Sequence, residues 1–340
     1  TVTKIGVYDN GCGMPPEVLA ICLQFGNGTR LTSRKGIGRF GIGLPQASVS
    51  QCKRVEVFSW QNDICYKTYL DIDEIVNEKR QNVSPIEECA MPEHILRESV
   101  SSRKASGTLI VWSQCDRLDF ARAKTLYNRM SNQLCRTYRH HLDSDNQYGR
   151  QCKISMVVAG PDRDIFPLSA NDPLYLLTPN NLPGHSNEAT NEQYGEVTEI
   201  PIEYEKDDQT LVSIVEMRFS IAKPATQELG GGSELGAHYR DNTGISFMRA
   251  GREIDFGTFG YFNPREERQR WWGCEIRFSP DLDELFGVTN NKQAVREVDY
   301  LDLEKFKEDH PEDWDEELEA SNKLKLRVEL SRNFTRFHKR

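Results

Sequence analysis

Residues 9–14, DNGCGM, decide how the first part of this chain is interpreted. They follow residues 5–8, a short apolar run typical of a β-strand, and they precede prolines at positions 15 and 16, which favour the first turn of a helix. Asp9 is therefore expected at a corner between a strand and a helix. A plain Asp-Asn-Gly turn is the alternative interpretation, because this chemistry is common in turns.

The side chains of this corner suit contact with a flat, hydrogen-bonding ring. An ionised carboxylate only accepts hydrogen bonds, so Asp9 can bind an exocyclic amine. Gly11 and Gly13 have no Cβ, which allows the backbone to approach a ring closely. The stretch indicates a binding site only if other elements of such a site follow it in the chain.

A second glycine-rich stretch, GIGRFGIG at residues 36–43, precedes a helical pattern of small residues. Glycines there free successive backbone N–H groups to point at one anion, and the start of a helix adds partial positive charge. The stretch therefore predicts a phosphate site. Neither common phosphate motif explains it, because no tight strand-turn-helix unit with a later ribose-binding acid surrounds it and no Gly-Lys-Ser/Thr follows.

A third element is Ser106-Gly107-Thr108, which opens the apolar run LIVW. If that strand lies beside the strand that ends at Asp9, the Thr108 hydroxyl is close to the Asp9 carboxylate. The alternative is a strand that begins with a β-branched residue for structural reasons alone.

The hydrophobic pattern predicts two domains with separate sheets. Residues 171–195, rich in Asn, Pro, Gly and Ser, predict a linker, and beyond them the alternation has the period of two that is typical of half-buried strands. An amphipathic helix is expected at residues 119–142, with His140 and His141 as cations at its C-terminal end. The expected divisions are residues 1–175, 176–300 and a charged helical segment at 301–340.

The composition and charge of the chain exclude several classes of protein. The chain has 340 residues, 37% of them hydrophobic, and a formal net charge of −9, which argues against general coating of nucleic acid. It has no apolar run of membrane-spanning length, and its nine cysteines form no Cys-x-x-Cys pair. We expect a soluble protein in the cytoplasm, or in the nucleus of a eukaryote, with reduced thiols.

The order DNGCGM, GRFGIG and then Gly-Thr on a later strand resembles the GHKL ATPases. That superfamily includes the gyrase B subunit, MutL, the ninety-kilodalton heat-shock chaperones, histidine kinases and MORC proteins, and the resemblance is closest to MORC and MutL. It implies an α+β fold in which a Bergerat-type ATP-binding sandwich is followed by a transducer-like domain.

The resemblance also implies a role for each matching residue. Asp9 would bind the adenine amine, Gly11 and Gly13 would form the turn, Met14 would pack on the base, and Thr108 would support the Asp9 contact. Thr29 lies in the expected lid. Lys292, in VTNNKQ at residues 288–293, would reach the terminal phosphate as the catalytic residue, although a lysine in a polar loop is otherwise usually just exposed. The residues expected to bind phosphate through backbone N–H groups are Gly38, Arg39, Phe40, Gly41, Ile42 and Gly43.

Family members carry a water-polarising Glu and, four residues later, an Mg²⁺-binding Asn on a helix that precedes the strand ending at Asp9. The eight residues before Asp9 hold no such pair, so we expect this sequence to be a piece of a longer protein. No general base and no metal ligand is assigned within it.

The resemblance implies an ATPase that uses ATP and Mg²⁺. Lid closure, and dimerisation of two identical chains, would be coupled to action on DNA or on a partner complex. Two alternatives stay open: a chaperone-like ATPase that acts on client proteins, and a nucleotide-binding scaffold without hydrolysis.

Overall fold

A computed structural model describes residues 1–27, 41–79, 82–99, 102–145, 148–149, 151–160, 163–206, 208–263, 265–288, 294–296, 298–310 and 314–338. The first half of the chain mixes short strands and helices: β1 (Lys4–Asp9), α1 (Pro16–Leu19), α2 (Gly43–Gln51), β2 (Arg54–Gln61), β3 (Ile64–Asp71), α3 (Ile72–Glu78), β4 (Glu87–Glu88), α4 (Glu93–Leu96), β5 (Gly107–Ser113), α5 (Ala123–Thr137), α6 (Arg139–Leu142), β6 (Ser155–Val158) and β7 (Asp164–Pro167). The second half begins with longer strands and ends in helices: β8 (Asn191–Gln193), β9 (Thr198–Lys206), β10 (Gln209–Ala222), α7 (Pro224–Glu228), α8 (Glu234–Asp241), β11 (Ile245–Arg249), β12 (Arg252–Gly257), β13 (Trp272–Phe278), α9 (Leu303–Asp309), α10 (Trp314–Ala320) and α11 (Asn322–His338).

The chain divides into two compact units. The first comprises Thr1–Ser131 with Ile154–Pro167, and the second comprises Asn132–Lys153 with Leu168–Arg340. Each unit has its own sheet and its own helices, so the fold belongs to the mixed α+β class that the sequence predicts.

The first unit is built on a five-stranded antiparallel sheet in the order β1-β5-β2-β3-β4. Alternate residues of each strand point to opposite faces. One face packs through Val55 and Val57 against Leu19 and Leu23 of the segment that contains α1. The other face forms a second apolar cluster with α4, made of Trp60, Cys65, Leu96, Leu109 and Val111.

The second unit contains a six-stranded sheet in the order β12-β11-β13-β10-β8, with β9 also paired to β10. The pair β11–β13 is parallel, and the other pairs of this sheet are antiparallel. Met217, Phe247 and Ile276 are fully buried at the centre of its core.

The charged C-terminal segment is part of that core rather than a separate appendage. Leu326, Leu330 and Phe334 of α11 are buried in the same cluster as the sheet residues. Their spacing of four residues places them on one face of the helix, so the apolar face of α11 is already covered.

Residues 171–195 do not form the linker that their composition predicts. Tyr175 and Leu182 are buried, and the Tyr175 ring stacks on Tyr239 of α8 with the ring centroids 3.8 Å apart. Turn-forming residues set the irregular path of this segment, but its few large side chains anchor it in the second unit.

The helix expected at residues 119–142 is two helices, α5 and α6, interrupted at Tyr138. His140 and His141 lie in the last turn of α6, as expected of residues at a helix end, but in buried surroundings that the sequence does not predict. His140 is buried with its Nε2 3.0 Å from Glu275 Oε2, and burial lowers the pKa of His141. The helical pattern gives no sign of these neighbours, because Glu275 is distant in sequence.

No helix among the described residues is long and apolar enough to cross a membrane.

Candidate functional site

Three polar side chains lie in one row across the sheet of the first unit. Asp9 of β1 is directly opposite Thr108 of β5, and Thr108 is directly opposite Ser59 of β2. Directly opposite residues in antiparallel strands share a face, so all three side chains project to the same side. The strands of Asp9 and Thr108 are thus neighbours, which is the condition under which the sequence places these two side chains close together.

Ser59 connects this row to the turn that follows β1. Its side chain is fully buried, and its Oγ accepts a hydrogen bond from the Met14 backbone N–H at 2.7 Å. The same Oγ lies 3.1 Å from the Gly107 carbonyl oxygen and 3.3 Å from Thr108 Oγ1. The Ser59 hydroxyl therefore fixes the end of the DNGCGM turn against two strands.

Further hydrogen bonds hold the first part of the turn. The Gly11 N–H donates to Asp9 Oδ1 at 2.9 Å, and the Ser106 hydroxyl donates to the Gly11 carbonyl at 2.8 Å. Gln61 Nε2 donates to the Cys12 carbonyl at 3.0 Å. The turn is thus held against β2 and against the residue that precedes β5, which fixes the backbone beside the exposed Asp9 side chain.

Two glycines are required where backbone segments meet. Gly13 has a φ of +69°, and a methyl group on it would overlap the carbonyl oxygen of Trp60. A methyl group on Gly107 would lie 2.7 Å from both the Asp9 carbonyl oxygen and the Trp60 ring. These contacts exclude a side chain at both positions, so the glycines are needed for the close approach of the turn to the sheet.

The Asp9 carboxylate is exposed and only partly used. Within the described residues, its one hydrogen-bond partner is the Gly11 N–H, which contacts Oδ1. A carboxylate has about four acceptor positions, so most of its capacity faces outward. This is the arrangement expected of a group that binds an N–H donor of a ligand.

Apolar side chains flank this acceptor. Val7 lies two residues before Asp9 on β1, hence on the same face, and 55% of its surface is exposed. Met14 is partly buried and packs on the cluster around Leu19. The sequence reasoning missed Val7, although counting by two from Asp9 would have identified it.

The expected phosphate segment is described only at its end. Gly41 has a φ of +62°, and α2 begins at Gly43 after Ile42, whose side chain makes no capping hydrogen bond. The first N–H groups of α2 thus have no side-chain cap, as a helix start that binds an anion requires. The remaining predicted site residues fall outside the described part of the chain: Thr29, Gly38, Arg39, Phe40 and Lys292.

The described residues offer no metal site. Among them, no group of three His, Cys, Asp or Glu side chains is arranged to hold a metal ion. None of these residues is therefore assigned to Mg²⁺.

The second unit contains a different polar cluster. Arg139, which is fully buried, lies 3.1 Å from Glu253 Oε2, 2.5 Å from Glu275 Oε2 and 2.7 Å from Ser246 Oγ. Arg277 donates to the other oxygen of Glu275. Both oxygens of Glu275 are thus bound by protein donors in a site closed to solvent.

The family comparison concerns the segment that contains the polar row. Residues 1–108 match the model of the family described as histidine kinase-, DNA gyrase B- and HSP90-like ATPase. The match is roughly a third of the chain and ends at Thr108. This segment of the chain is thus similar to that family of ATPases.

Solved structures of gyrase B are similar over more of the chain but at low identity. The B subunit of DNA gyrase from Myxococcus xanthus aligns with 96% of this chain and 80% of its own, at 9% identity and a TM-score of 0.40. The 43K ATPase domain of Thermus thermophilus gyrase B in complex with an aminocoumarin aligns with 82% of this chain and 67% of its own, at 11% identity and a TM-score of 0.34. No curated protein sequence matches the chain.

Proposed function

We propose that this protein binds ATP at the polar row of the first unit and hydrolyses it as a GHKL-type ATPase. The single observation that supports this most is the exposed carboxylate of Asp9, which lies directly opposite Thr108 in the segment that matches the ATPase family and whose one hydrogen-bond partner among the described residues is the Gly11 N–H. An acceptor beside an apolar surface suits the amine edge and the face of adenine.

Each group then has a distinct task in ATP binding. Asp9 accepts a hydrogen bond from the adenine amine, and Thr108 supports that contact. Gly11 and Gly13 keep the turn close to the ring, and Val7 and Met14 contact its faces. The backbone N–H groups from Gly38 to Gly43 bind the phosphates.

Turnover, and the conformational change that accompanies it, depend on groups outside the base site. Lys292 contacts the terminal phosphate and couples the nucleotide to a transducer-like second unit, with Mg²⁺ as the cofactor. The lid around Thr29 closes on ATP, two chains dimerise, and a MORC- or MutL-like protein in the cytoplasm or nucleus acts on DNA or on a partner complex. ATP drives this change only through a higher affinity for the closed form than for the open form.

Calorimetric titration with ATP tests the binding site. Asp9→Asn replaces an acceptor oxygen by a donor amide, so we expect ATP affinity to fall at least about tenfold. Asp119→Asn, at another exposed aspartate of the first unit, is the matched control and retains the affinity of the parent chain. Unchanged affinity in Asp9→Asn contradicts the proposed site.

Turnover tests the assignment of Lys292. We expect Lys292→Ala to bind ATP but to lose hydrolysis, because the substitution removes a positive charge from the terminal phosphate and leaves the base site intact. Phosphate release and ATP affinity are measured on the same preparation. Full turnover in Lys292→Ala would exclude this lysine as the catalytic residue.

A further inference from the structure

The hydroxyl of Ser59 has three polar neighbours and only one hydrogen to donate. The Met14 N–H is a donor, so Ser59 Oγ accepts at 2.7 Å. The Gly107 carbonyl can only accept, and it is nearer (3.1 Å) than Thr108 Oγ1 (3.3 Å), so we assign the Ser59 hydrogen to it. The third neighbour, Thr108 Oγ1 at 3.3 Å, can therefore interact with Ser59 only as a donor.

This assignment fixes the direction of the Thr108 hydroxyl. With its hydrogen directed to Ser59, Thr108 Oγ1 presents only lone pairs to its other surroundings. Asp9, directly opposite Thr108 on β1, is an acceptor as well. The exposed Asp9 and the largely buried Thr108, which we assign to the proposed base edge, are therefore both acceptors.

We propose that Ser59 is a specificity-determining residue that acts through Thr108, and the inference rests on the proposed function. By keeping the Thr108 hydroxyl turned inward, Ser59 makes the edge of the site select a purine with an exocyclic amine. A purine with a carbonyl at the same position binds more weakly, because its oxygen meets two acceptors and the hydrogen of that base edge lies on the neighbouring ring nitrogen instead.

The position of Ser59 suits this role. It is fully buried in the sheet and belongs to the same cross-strand row as Asp9 and Thr108, so it cannot contact a ligand that binds at the exposed Asp9. Without the Ser59 hydroxyl, Thr108 Oγ1 is free to rotate and to donate to a carbonyl. Selectivity thus depends on a side chain outside the ligand contact surface.

The test compares ATP with inosine triphosphate, whose base has a carbonyl in place of the amine. Affinities of the full chain for both nucleotides are measured by calorimetry, and the ratio of the two dissociation constants is the readout. We expect the parent chain to prefer ATP and Ser59→Ala to reduce that preference about tenfold. A tenfold change in this ratio corresponds to the free energy that one hydrogen bond to a charged or buried group contributes.

Ser48→Ala is the matched control. Ser48 is also fully buried in the first unit; its hydroxyl donates to the Leu44 carbonyl at 2.8 Å and accepts from Trp112 Nε1 at 2.9 Å. Like Ser59, it therefore donates one hydrogen bond and accepts one, but within the described residues it makes no hydrogen bond with Thr108. We expect Ser48→Ala to lower stability but to leave the ratio of the two affinities unchanged.

The outcomes separate this inference from the proposed function. If the parent chain binds neither nucleotide, the proposed function is wrong, and the inference falls with it. If Ser59→Ala binds both nucleotides with the parent ratio, only the inference is overturned. If circular dichroism shows that Ser59→Ala does not fold, Ser59→Cys, which has nearly the size of serine but a weaker hydrogen-bonding group, replaces it: a reduced ratio supports the inference, and the parent ratio overturns it.

Discussion

Both units place carboxylates on or beside a sheet, but the two regions use them differently. In the first unit, Asp9 is exposed, and the Gly11 N–H is its one hydrogen-bond partner among the described residues. In the second unit, Glu275 is fully buried, and Arg139, His140 and Arg277 bind its oxygens. Unused hydrogen-bonding capacity therefore marks the region suited to a ligand, whereas a saturated, buried cluster serves the fold.

The largest loss of stability is expected when the buried cluster is broken. Arg139→Met leaves the carboxylates of Glu253 and Glu275 buried without their shared cation, so we expect the free energy of unfolding to fall by about 3–5 kcal/mol. Urea denaturation measures this free energy of unfolding. Arg332→Met removes an exposed arginine that pairs with Glu329, with side chains 45% and 40% exposed, and should cost under about 1 kcal/mol. Equal losses in the two variants would mean that burial does not distinguish the two pairs.

The second largest loss of stability is expected from a change in the backbone of the turn that follows Asp9. Gly13→Ala forces a side chain into a left-handed conformation and against the Trp60 carbonyl, so we expect a loss of about 2–3 kcal/mol and a weaker ATP complex. Gly26→Ala is the control for conformation alone, because Gly26 has a φ of +75° and, in the described part of the chain, no neighbour within 4 Å of the added methyl group. It should cost about 1 kcal/mol. The difference between the two variants measures the overlap.

The polar row at Asp9 and the buried cluster at Arg139 differ in how far the sequence predicts them. DNGCGM predicts the corner at Asp9 from local chemistry, and the run after Gly107 predicts β5. The alignment of Asp9, Thr108 and Ser59 depends on pairing between strands far apart in sequence, which no local pattern encodes. Arg139 lies in a helical pattern that looks solvent-exposed, because its partner Glu275 is 136 positions away.

A smaller effect is the acid dependence of the second unit. Burial on its own raises the pKa of Glu275, but the charges of Arg139 and His140 outweigh it and hold that pKa well below its ordinary value of 4.5. A lowered native pKa stabilises the fold above pH 4.5, and this contribution is lost as the pH falls below that value. The expected slope from this group is at most about 1.4 kcal/mol per pH unit.

Urea denaturation of the parent chain and of Glu275→Gln between pH 3 and pH 7 measures this slope. The substitution removes the titrating group, so the stability of Glu275→Gln should change less steeply below pH 4.5 than that of the parent. Parallel curves would show that other carboxylates account for the acid dependence.

The smallest effect sharpens the contrast between binding and folding. Val7 is 55% exposed on the face of Asp9, so its methyl groups contribute little to the folded state alone. If they contact the base, Val7→Ser should lower ATP affinity by roughly fivefold, about 1 kcal/mol of apolar contact, while the unfolding midpoint stays the same. Val76→Ser on α3, where 69% of the valine is exposed, is the matched control and should change neither quantity. A lower unfolding midpoint in Val7→Ser with unchanged affinity would place Val7 in the fold of the first unit rather than in its ligand site.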